Sequence, residues 1–206
     1  MTLHYTPRTI SAAVAIVLNE TGLDHTLVKV DFATAEQTKP DFLKINPKAR
    51  VPALITEHGV LTETPALLDY LAALAPAANL IPTDLFQAAH MRSVMAYLAS
   101  TMHINHAHGM RGTRWASLPA SHEDMANNVV RTMTQSTHYI ESHALKGDYV
   151  CGPDFTLADP YLFTICTWLK SDGVDIAKFP KLQAFQKRIA SRASVQKAYA
   201  DGVLVQ

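Results

Sequence analysis

The sequence predicts an α/β unit followed by an all-helical unit. In the first third of the chain, short alternating apolar patterns typical of strands are interspersed with helical patterns. Beyond residues 76–84 the strand patterns nearly vanish and helical periodicity dominates. Residues 76–84 contain two prolines and Asp84, which can cap a following helix, and they are typical of a linker. We therefore expect domains at residues 1–76 and 84–206.

The first unit is predicted to contain four strands and three helices in the order β-α-β-α-β-β-α. The strands are expected at 1–5, 25–31, 53–56 and 60–62, and the helices at 11–21, 39–45 and 64–73. Gly22 follows the first helix where a left-handed residue ends many helices. Because a βαβ unit gives a parallel pair and a hairpin an antiparallel pair, a mixed sheet is expected. This order resembles that of a thioredoxin-like domain.

The second unit is predicted to consist of helices at 85–106, 121–144, 157–171 and 180–199. Thr156 and Asp159 form the pattern T-x-x-D, a variant of the helix capping box. The Thr156 hydroxyl is expected to accept from the Asp159 N–H, and the Asp159 carboxylate from the Thr156 N–H. The pattern favours a structural role for Asp159 over a role as a catalytic acid.

Composition excludes several classes of protein. The 206 residues carry no formal net charge and no basic run or tail, so nucleic acid is not an expected partner. No apolar run is long enough to span a bilayer, and no signal peptide is visible. Cys151 and Cys166 have neither C-x-x-C nor zinc-ligand spacing and are predicted to be buried free thiols. These features favour a cytoplasmic protein.

Residues 46–54 (NPKARVPAL) and 61–71 (LTETPALLDYL) form a two-part motif. Pro52 lacks an N–H and belongs at the start or bend of a strand, and a cis bond before it can expose the main chain of Val51 to a ligand. Glu63 and Thr64 are placed at a helix N-terminus, where backbone N–H groups favour an anionic ligand. The alternative is a strand, a turn and an amphipathic helix without a ligand.

The motif resembles the glutathione-site signature of the glutathione transferase family, N-P-x-x-x-V-P-x-L followed by E-[ST]-x-A-[IL]-x-x-Y-L. The resemblance covers nearly the whole chain and is strongest to the beta-like bacterial branch. It implies an all-helical C-terminal glutathione transferase domain, glutathione as co-substrate, a small hydrophobic electrophile as second substrate, and a homodimer. It also implies glutathione binding by Val51, Pro52, Glu63 and Thr64. Arg8 and Arg50 are candidate substitutes for a lysine of the branch that this chain lacks.

The family's thiol-contacting side chain lies in the loop at residues 5–12. Thr9 stands where serine-type members have Ser, and Ile10 stands where cysteine-type members have Cys. Arg8 replaces the usual Gly, and Ser11 follows the loop. Since a hydroxyl donor favours the thiolate over the thiol, Thr9 and Ser11 are predicted as near-equal candidates for the thiol contact, with Thr6 as a weaker third candidate. The alternative is that they only cap the helix.

Because this loop has no cysteine, conjugation is favoured over cysteine-based redox chemistry. A glutathione transferase is therefore the predicted enzyme. A glutathione-dependent disulfide reductase and a non-catalytic binding or scaffold module with this fold stay as alternatives.

Histidines are concentrated at residues 103–108 (HINHAH). His103 follows Ser100 in a way that resembles the Thr/Ser-x-x-His of the beta-like branch, and it is a third catalytic candidate. His106, Tyr97 and Arg111 are predicted to contribute to the electrophile site. The histidines also suggest a zinc, copper or nickel site or a metal-dependent lyase, but no carboxylate is near in sequence, so no metal is predicted.

Overall fold

Four strands form a mixed sheet in the order β2-β1-β3-β4 in the computed structural model, which describes residues 1–205. The strands are β1 (Thr2–Tyr5), β2 (Thr26–Lys29), β3 (Ala53–Thr56) and β4 (Gly59–Thr62). β1 runs parallel to β2 and antiparallel to β3, and β4 completes a hairpin with β3. The predicted mixed sheet is confirmed.

Three helices accompany the sheet: α1 (Ser11–Thr21), α2 (Pro40–Ile45) and α3 (Thr64–Leu74). Single 3₁₀ turns lie at Glu36–Thr38 and Pro76–Ala78. The first eight residues of α1 are all buried, which its small alanine side chains permit. Gly22 ends α1 in the predicted left-handed conformation, with φ of 67° and its N–H bonded to the Leu18 carbonyl at 3.1 Å.

The regular secondary structure in the rest of the described chain is helical, apart from an isolated bridge between Tyr149 and Gly152. The segments are α4 (Leu85–Tyr97), a π-helical stretch (Leu98–Met102), α5 (His103–Arg111), a 3₁₀ turn (Gly112–Arg114), α6 (Pro119–Tyr139), a second π-helical stretch (Ile140–Ala144), α7 (Ala158–Cys166), a 3₁₀ turn (Ile176–Lys178), α8 (Pro180–Ala190) and α9 (Ala193–Ala200). The helix predicted to end at residue 106 continues to 111, and the one predicted for 157–171 ends earlier, at Cys166.

The helix predicted for 180–199 is wrong, because it is broken between α8 and α9. Arg192 is extended there, with φ of −68° and ψ of 143°. Its guanidinium forms two hydrogen bonds with the Glu20 carboxylate of α1, at 2.7 and 2.9 Å, and the Ser194 hydroxyl donates to the same carboxylate. Asn19 donates to the Ser194 carbonyl at 3.0 Å. These contacts hold α9 against α1.

The chain divides into two compact units. One contains residues 1–81 and the segment that begins at Ile189, and the other contains Pro82–Arg188. The predicted domain boundaries, 1–76 and 84–206, stay a prediction. Among the described helices, none is long and apolar enough to cross a membrane.

The capping box before α7 differs in detail from its prediction. The Asp159 carboxylate accepts from the Thr156 N–H at 2.6 Å, as predicted. However, the Thr156 hydroxyl donates to that carboxylate at 2.9 Å, and the Asp159 N–H bonds instead to the Thr156 carbonyl. The second carboxylate oxygen accepts from the Val150 N–H at 2.8 Å. Asp159 is fully buried and therefore joins the incoming loop to the start of α7.

A carboxylate also caps α8. The Glu141 oxygens accept from the N–H groups of Lys181 and Leu182 at 3.0 and 2.7 Å. Because these donors lie in the first turn of α8 and have no partner within the helix, Glu141 stabilises the start of α8 from the π-helical stretch that follows α6.

Candidate functional site

Three predicted segments meet at one edge of the sheet. Since β1 and β3 are antiparallel with His4 opposite Ala53, the loop after β1 and the residues before β3 lie at the same edge. Ala53 also faces Thr62 of β4, so the start of α3 follows at that edge. The backbone topology therefore places Thr9 and Ser11, Val51 and Pro52, and Glu63 and Thr64 on neighbouring segments.

The loop after β1 contains a short hydroxyl chain. The Thr9 hydroxyl lies 2.7 Å from the Thr6 carbonyl oxygen and 2.9 Å from the Ser11 hydroxyl, and it also accepts from the Ser11 N–H at 3.3 Å. A carbonyl only accepts, so when Thr9 donates to Thr6, Ser11 donates to Thr9. Ser11 is fully buried, whereas Thr9 is partly exposed. Thr9 is thus the better placed of the two to contact a ligand.

Arg8 adopts the left-handed conformation, with φ of 61°. A glycine, which the family usually has at this place, adopts such a conformation without steric cost. Arg8 carries a Cβ and therefore adopts it at a cost in backbone strain. The Arg8 side chain is exposed.

The residues before β3 are fixed by a buried asparagine. Asn46 donates to the Arg50 carbonyl at 2.6 Å and accepts from the Lys48 N–H at 3.1 Å. The Val51–Pro52 bond is cis. The hydrogen bonds among the described residues include none from the main chain of Val51. Likewise, the exposed Arg50 guanidinium has no hydrogen-bond or ion-pair partner in the described part of the chain.

The start of α3 offers further unused groups. No side chain caps this helix, and Pro65 lies in its first turn. The Thr64 hydroxyl has no hydrogen-bond partner among residues 1–205. Glu63 precedes the helix with φ of 72°, and its carboxylate pairs with Lys48 at 2.5 Å. Lys48 also donates to the Thr62 hydroxyl at 2.6 Å.

Lys48 was missed in the sequence analysis. It lies between the N-P and V-P pairs of the motif. A basic side chain at that place, close to the predicted ligand-binding residues, was the sequence signal that could have identified it. Its contact with Glu63 depends on the β3–β4 hairpin, which brings the two segments together.

The helical unit places two of the predicted electrophile-site residues in polar contacts. The Tyr97 hydroxyl donates to the Ser136 hydroxyl at 3.1 Å, and the Tyr97 ring lies 4.5 Å from the Tyr139 ring. His106 Nδ1 lies 2.8 and 2.9 Å from the two Asp172 carboxylate oxygens. Arg111 is partly exposed at the end of α5.

Trp168 lies beside two of the histidines. The His106 ring stacks on Trp168 with centroids 4.3 Å apart, and the His103 ring is tilted against it at 5.1 Å. His108 instead contacts Trp115, edge to face at 4.7 Å. Trp168 and Asp172 were missed in the sequence analysis, since both are about sixty residues from the histidines in sequence. Within the described chain, no group of three or more metal-ligating side chains is positioned around a common point.

Neither cysteine is suited to redox catalysis. Burial raises the pKa of the Cys166 thiol. Burial likewise raises the pKa of Cys151; the contact of its thiol with the Thr156 hydroxyl opposes the shift, and the nearby Asp159 charge adds to it. Because the thiolate is the reactive form, both residues are held in the inert state.

Comparison with known families identifies the architecture. The family model described as the glutathione S-transferase N-terminal domain matches residues 1–73, and the one described as the C-terminal domain matches residues 90–193. The chain belongs to the glutathione S-transferase family. The predicted family, fold class and enzyme class are confirmed.

Individual relatives of this glutathione S-transferase agree over nearly their full length. Glutathione S-transferase GstA of Escherichia coli O157:H7 is 32% identical over 96% of this chain and 96% of its own. The crystal structure of a glutathione transferase homologue from Sulfitobacter, with bound glutathione, is 57% identical, has a TM-score of 0.97 and covers 98% of both chains. A sphingomonad glutathione S-transferase complexed with glutathione is 31% identical, with a TM-score of 0.86 and 98% coverage of both chains.

Proposed function

We propose that this glutathione S-transferase conjugates the glutathione thiol to a small hydrophobic electrophile, using the sheet edge beside β1, β3 and α3 to bind glutathione. The observation that carries the proposal is a set of unused polar groups at that edge: the Val51 main chain, the Thr64 hydroxyl and the uncapped start of α3. Similar proteins hold glutathione in their crystal structures. Free donors and acceptors at one edge suit a peptide-like ligand with carboxylates.

In this proposal the cysteinyl backbone of glutathione pairs with the Val51 main chain, next to the cis-Pro52 bond. The γ-glutamyl carboxylate binds at the start of α3, where Thr64 and the helix N-terminus provide donors. The γ-glutamyl ammonium binds the Glu63 carboxylate and partly replaces Lys48 as its partner. Arg50, which is exposed, is available for the glycyl carboxylate.

Thr9 is proposed to stabilise the thiolate. Its hydroxyl exchanges the bond with the Thr6 carbonyl for a bond to the glutathione sulfur, and Ser11 supports it by donating to Thr9. The thiolate then attacks the electrophile, an S–C bond forms, and the leaving group departs with the electron pair of its former bond. Stabilisation of the anion and proximity are the proposed sources of rate.

The second substrate is proposed to contact the helical unit, with His106, Tyr97 and Arg111 as its contacts, and His103 stays a catalytic candidate. A disulfide reductase is the weaker candidate, because the loop after β1 has no cysteine and both cysteines of the chain are buried.

A cytoplasmic homodimer is also proposed. Leu85 and Phe86 at the start of α4 are 87% and 82% exposed, and two adjacent large apolar side chains at that exposure suit a protein interface. Sedimentation equilibrium tests this point: a dimer is expected for the native protein, and Phe86→Ser is expected to shift it towards monomer.

The thiol pKa of bound glutathione tests the mechanism. We expect thiolate absorption, measured against pH, to give a lower pKa in the native complex than in free glutathione. Thr9→Val should return this pKa towards the free value, whereas Ser11→Ala should move it less, because Ser11 acts through Thr9. An unchanged pKa in Thr9→Val would refute the role of Thr9, and glutathione binding without conjugation of any electrophile would favour a binding module.

A further inference from the structure

We infer that Lys48 and Glu63 together bind the α-amino acid head group of glutathione, with Lys48 donating to the α-carboxylate of the γ-glutamyl residue. Lys48 is then a specificity-determining residue, which selects thiols that carry a γ-linked α-amino acid. The inference deepens the proposed function and rests on it, because it adds a contact at the same sheet edge.

The first observation concerns the donors of Lys48. The ammonium group of a lysine carries three N–H donors. One donates to the Glu63 carboxylate at 2.5 Å and another to the Thr62 hydroxyl at 2.6 Å. Lys48 makes no further polar contact within residues 1–205, so its third donor is available to a ligand.

The second observation concerns the acceptors of Glu63. Its Oε1 accepts from Lys48, whereas its Oε2 has no partner among the described residues. The Lys48 and Glu63 side chains are 42% and 63% exposed, so both are accessible to a ligand. The ion pair therefore offers a cationic donor and an anionic acceptor side by side. An α-amino acid presents the complementary groups, a carboxylate and an ammonium on the same carbon atom.

The third observation is that the backbone around the ion pair is fixed. Asn46 is 1% exposed, and its side chain accepts from the Lys48 N–H at 3.1 Å and donates to the Arg50 carbonyl at 2.6 Å. Ala49 and Glu63 have left-handed backbone conformations, with φ of 54° and 72°. Such conformations persist only where the surrounding structure holds them, and they are frequent at ligand-binding sites. Because these segments are already ordered, less conformational freedom is lost when a ligand binds.

These observations define how the head group binds. The γ-glutamyl ammonium donates to Oε2 of Glu63, so that the ammonium and Lys48 share one carboxylate. The third donor of Lys48 binds the α-carboxylate, which also contacts Thr64 and the start of α3 in the proposed site. A ligand without the α-carboxylate gains nothing from Lys48. In contrast, if Lys48 only held Glu63 in place, its loss would weaken every ligand that uses Glu63.

Calorimetric titration with glutathione and with 4-aminobutanoyl-cysteinylglycine tests the inference. The second ligand is glutathione without its α-carboxylate, and it keeps the ammonium that binds Glu63. The native protein should bind it about tenfold more weakly than glutathione, since charged hydrogen bonds are lost. Lys48→Met should weaken glutathione binding about tenfold for the same reason. This variant should bind 4-aminobutanoyl-cysteinylglycine at least as tightly as the native protein does, because Glu63 has lost a competing cation.

Lys44→Met is the matched control. Lys44 is an exposed lysine of the preceding helix α2 and forms an ion pair with Asp41 at 2.8 Å. Its replacement removes the same charge from a neighbouring segment and should leave both affinities unchanged. Lys48→Arg keeps a cationic donor and should bind glutathione more tightly than Lys48→Met does.

Equal glutathione affinities in Lys48→Met and Lys44→Met would overturn the inference. A similar loss of affinity for both ligands in Lys48→Met would also overturn it, since that pattern indicates a purely structural role. Equal affinity of the native protein for the two ligands would contradict recognition of the α-carboxylate even if a variant fails to fold. Glutathione binding that is lost in Glu63→Ala but unchanged in Lys48→Met would overturn this inference alone, whereas no binding to the native protein would overturn the proposed function with it.

Discussion

Glu20→Gln is expected to weaken the attachment of α9 to α1. The carboxylate accepts two hydrogen bonds from Arg192 and one from Ser194, and the Glu20 and Arg192 side chains are 16% and 28% exposed. Glutamine keeps one acceptor oxygen. Its amide NH₂ group replaces the other oxygen and faces a donor of Arg192 or Ser194, so a hydrogen bond is lost there. Hydrogen bonds to a charged group contribute about 1.5–3 kcal/mol each, and partial exposure reduces this, so we expect a loss of about 2 kcal/mol.

For a chain of 206 residues, a loss of that size corresponds to a Tm lower by about 5 °C. Differential scanning calorimetry measures it, with Glu123→Gln on the exposed face of α6 as the matched control. Equal melting temperatures for Glu20→Gln and Glu123→Gln would refute the reasoning.

The difference in stability between the native protein and Glu20→Gln should also depend on pH. Burial raises the pKa of Glu20, but the hydrogen bonds from Arg192 and Ser194 and the Arg192 charge outweigh it, so the pKa lies below its ordinary value of 4.5. A lowered pKa stabilises the folded state above pH 4.5, and this contribution is lost as the pH falls through the folded pKa. Denaturant unfolding should show a constant difference near neutral pH that shrinks below 4.5; a difference that grows on acidification would contradict the assignment.

Three further variants test the fold and the loop. Asp159→Asn should lower the free energy of unfolding by about 3 kcal/mol in urea, because the buried carboxylate accepts from Thr156 and Val150; an effect below about 1 kcal/mol would contradict this. Glu141→Ala should cost about 1–2 kcal/mol in the same assay, since it removes the cap of α8, and a neutral effect would count against that cap. Arg8→Gly should raise Tm slightly, because relief of about 1–2 kcal/mol of left-handed strain exceeds about 0.5–1 kcal/mol of added chain entropy; a lower Tm would show that the Arg8 side chain stabilises the loop.

The sequence predicted the features that depend on local patterns. Alternation and helical periodicity predicted the mixed sheet and most helices, and Gly22 marked the end of α1 because its signal is confined to one turn. The break before α9 was missed, since it depends on the pairing of Arg192 with Glu20 from the other end of the chain. Periodicity carries no information about such a partner.

For the candidate site, the sequence motif predicted the segments that contribute residues, but it did not predict the contacts between side chains. The two-part motif placed Val51 and Thr64, and the sheet register brings both to the same edge as Thr9. The contact of Lys48 with Glu63 and the stacking of His106 on Trp168 arise from tertiary packing, which a motif does not encode. The proposal prefers Thr9 to Ser11 because of burial, which is a property of the folded loop.

Calorimetric titration with glutathione tests the central claim most directly. The account predicts saturable binding of glutathione to the native protein. Binding to Glu63→Ala should be at least tenfold weaker, because this variant loses the charged hydrogen bond between the Glu63 carboxylate and the γ-glutamyl ammonium. Glu57→Ala, in the exposed turn between β3 and β4, should bind as the native protein does. No binding at millimolar glutathione, or an affinity in Glu63→Ala equal to that in Glu57→Ala, would contradict the proposed glutathione site.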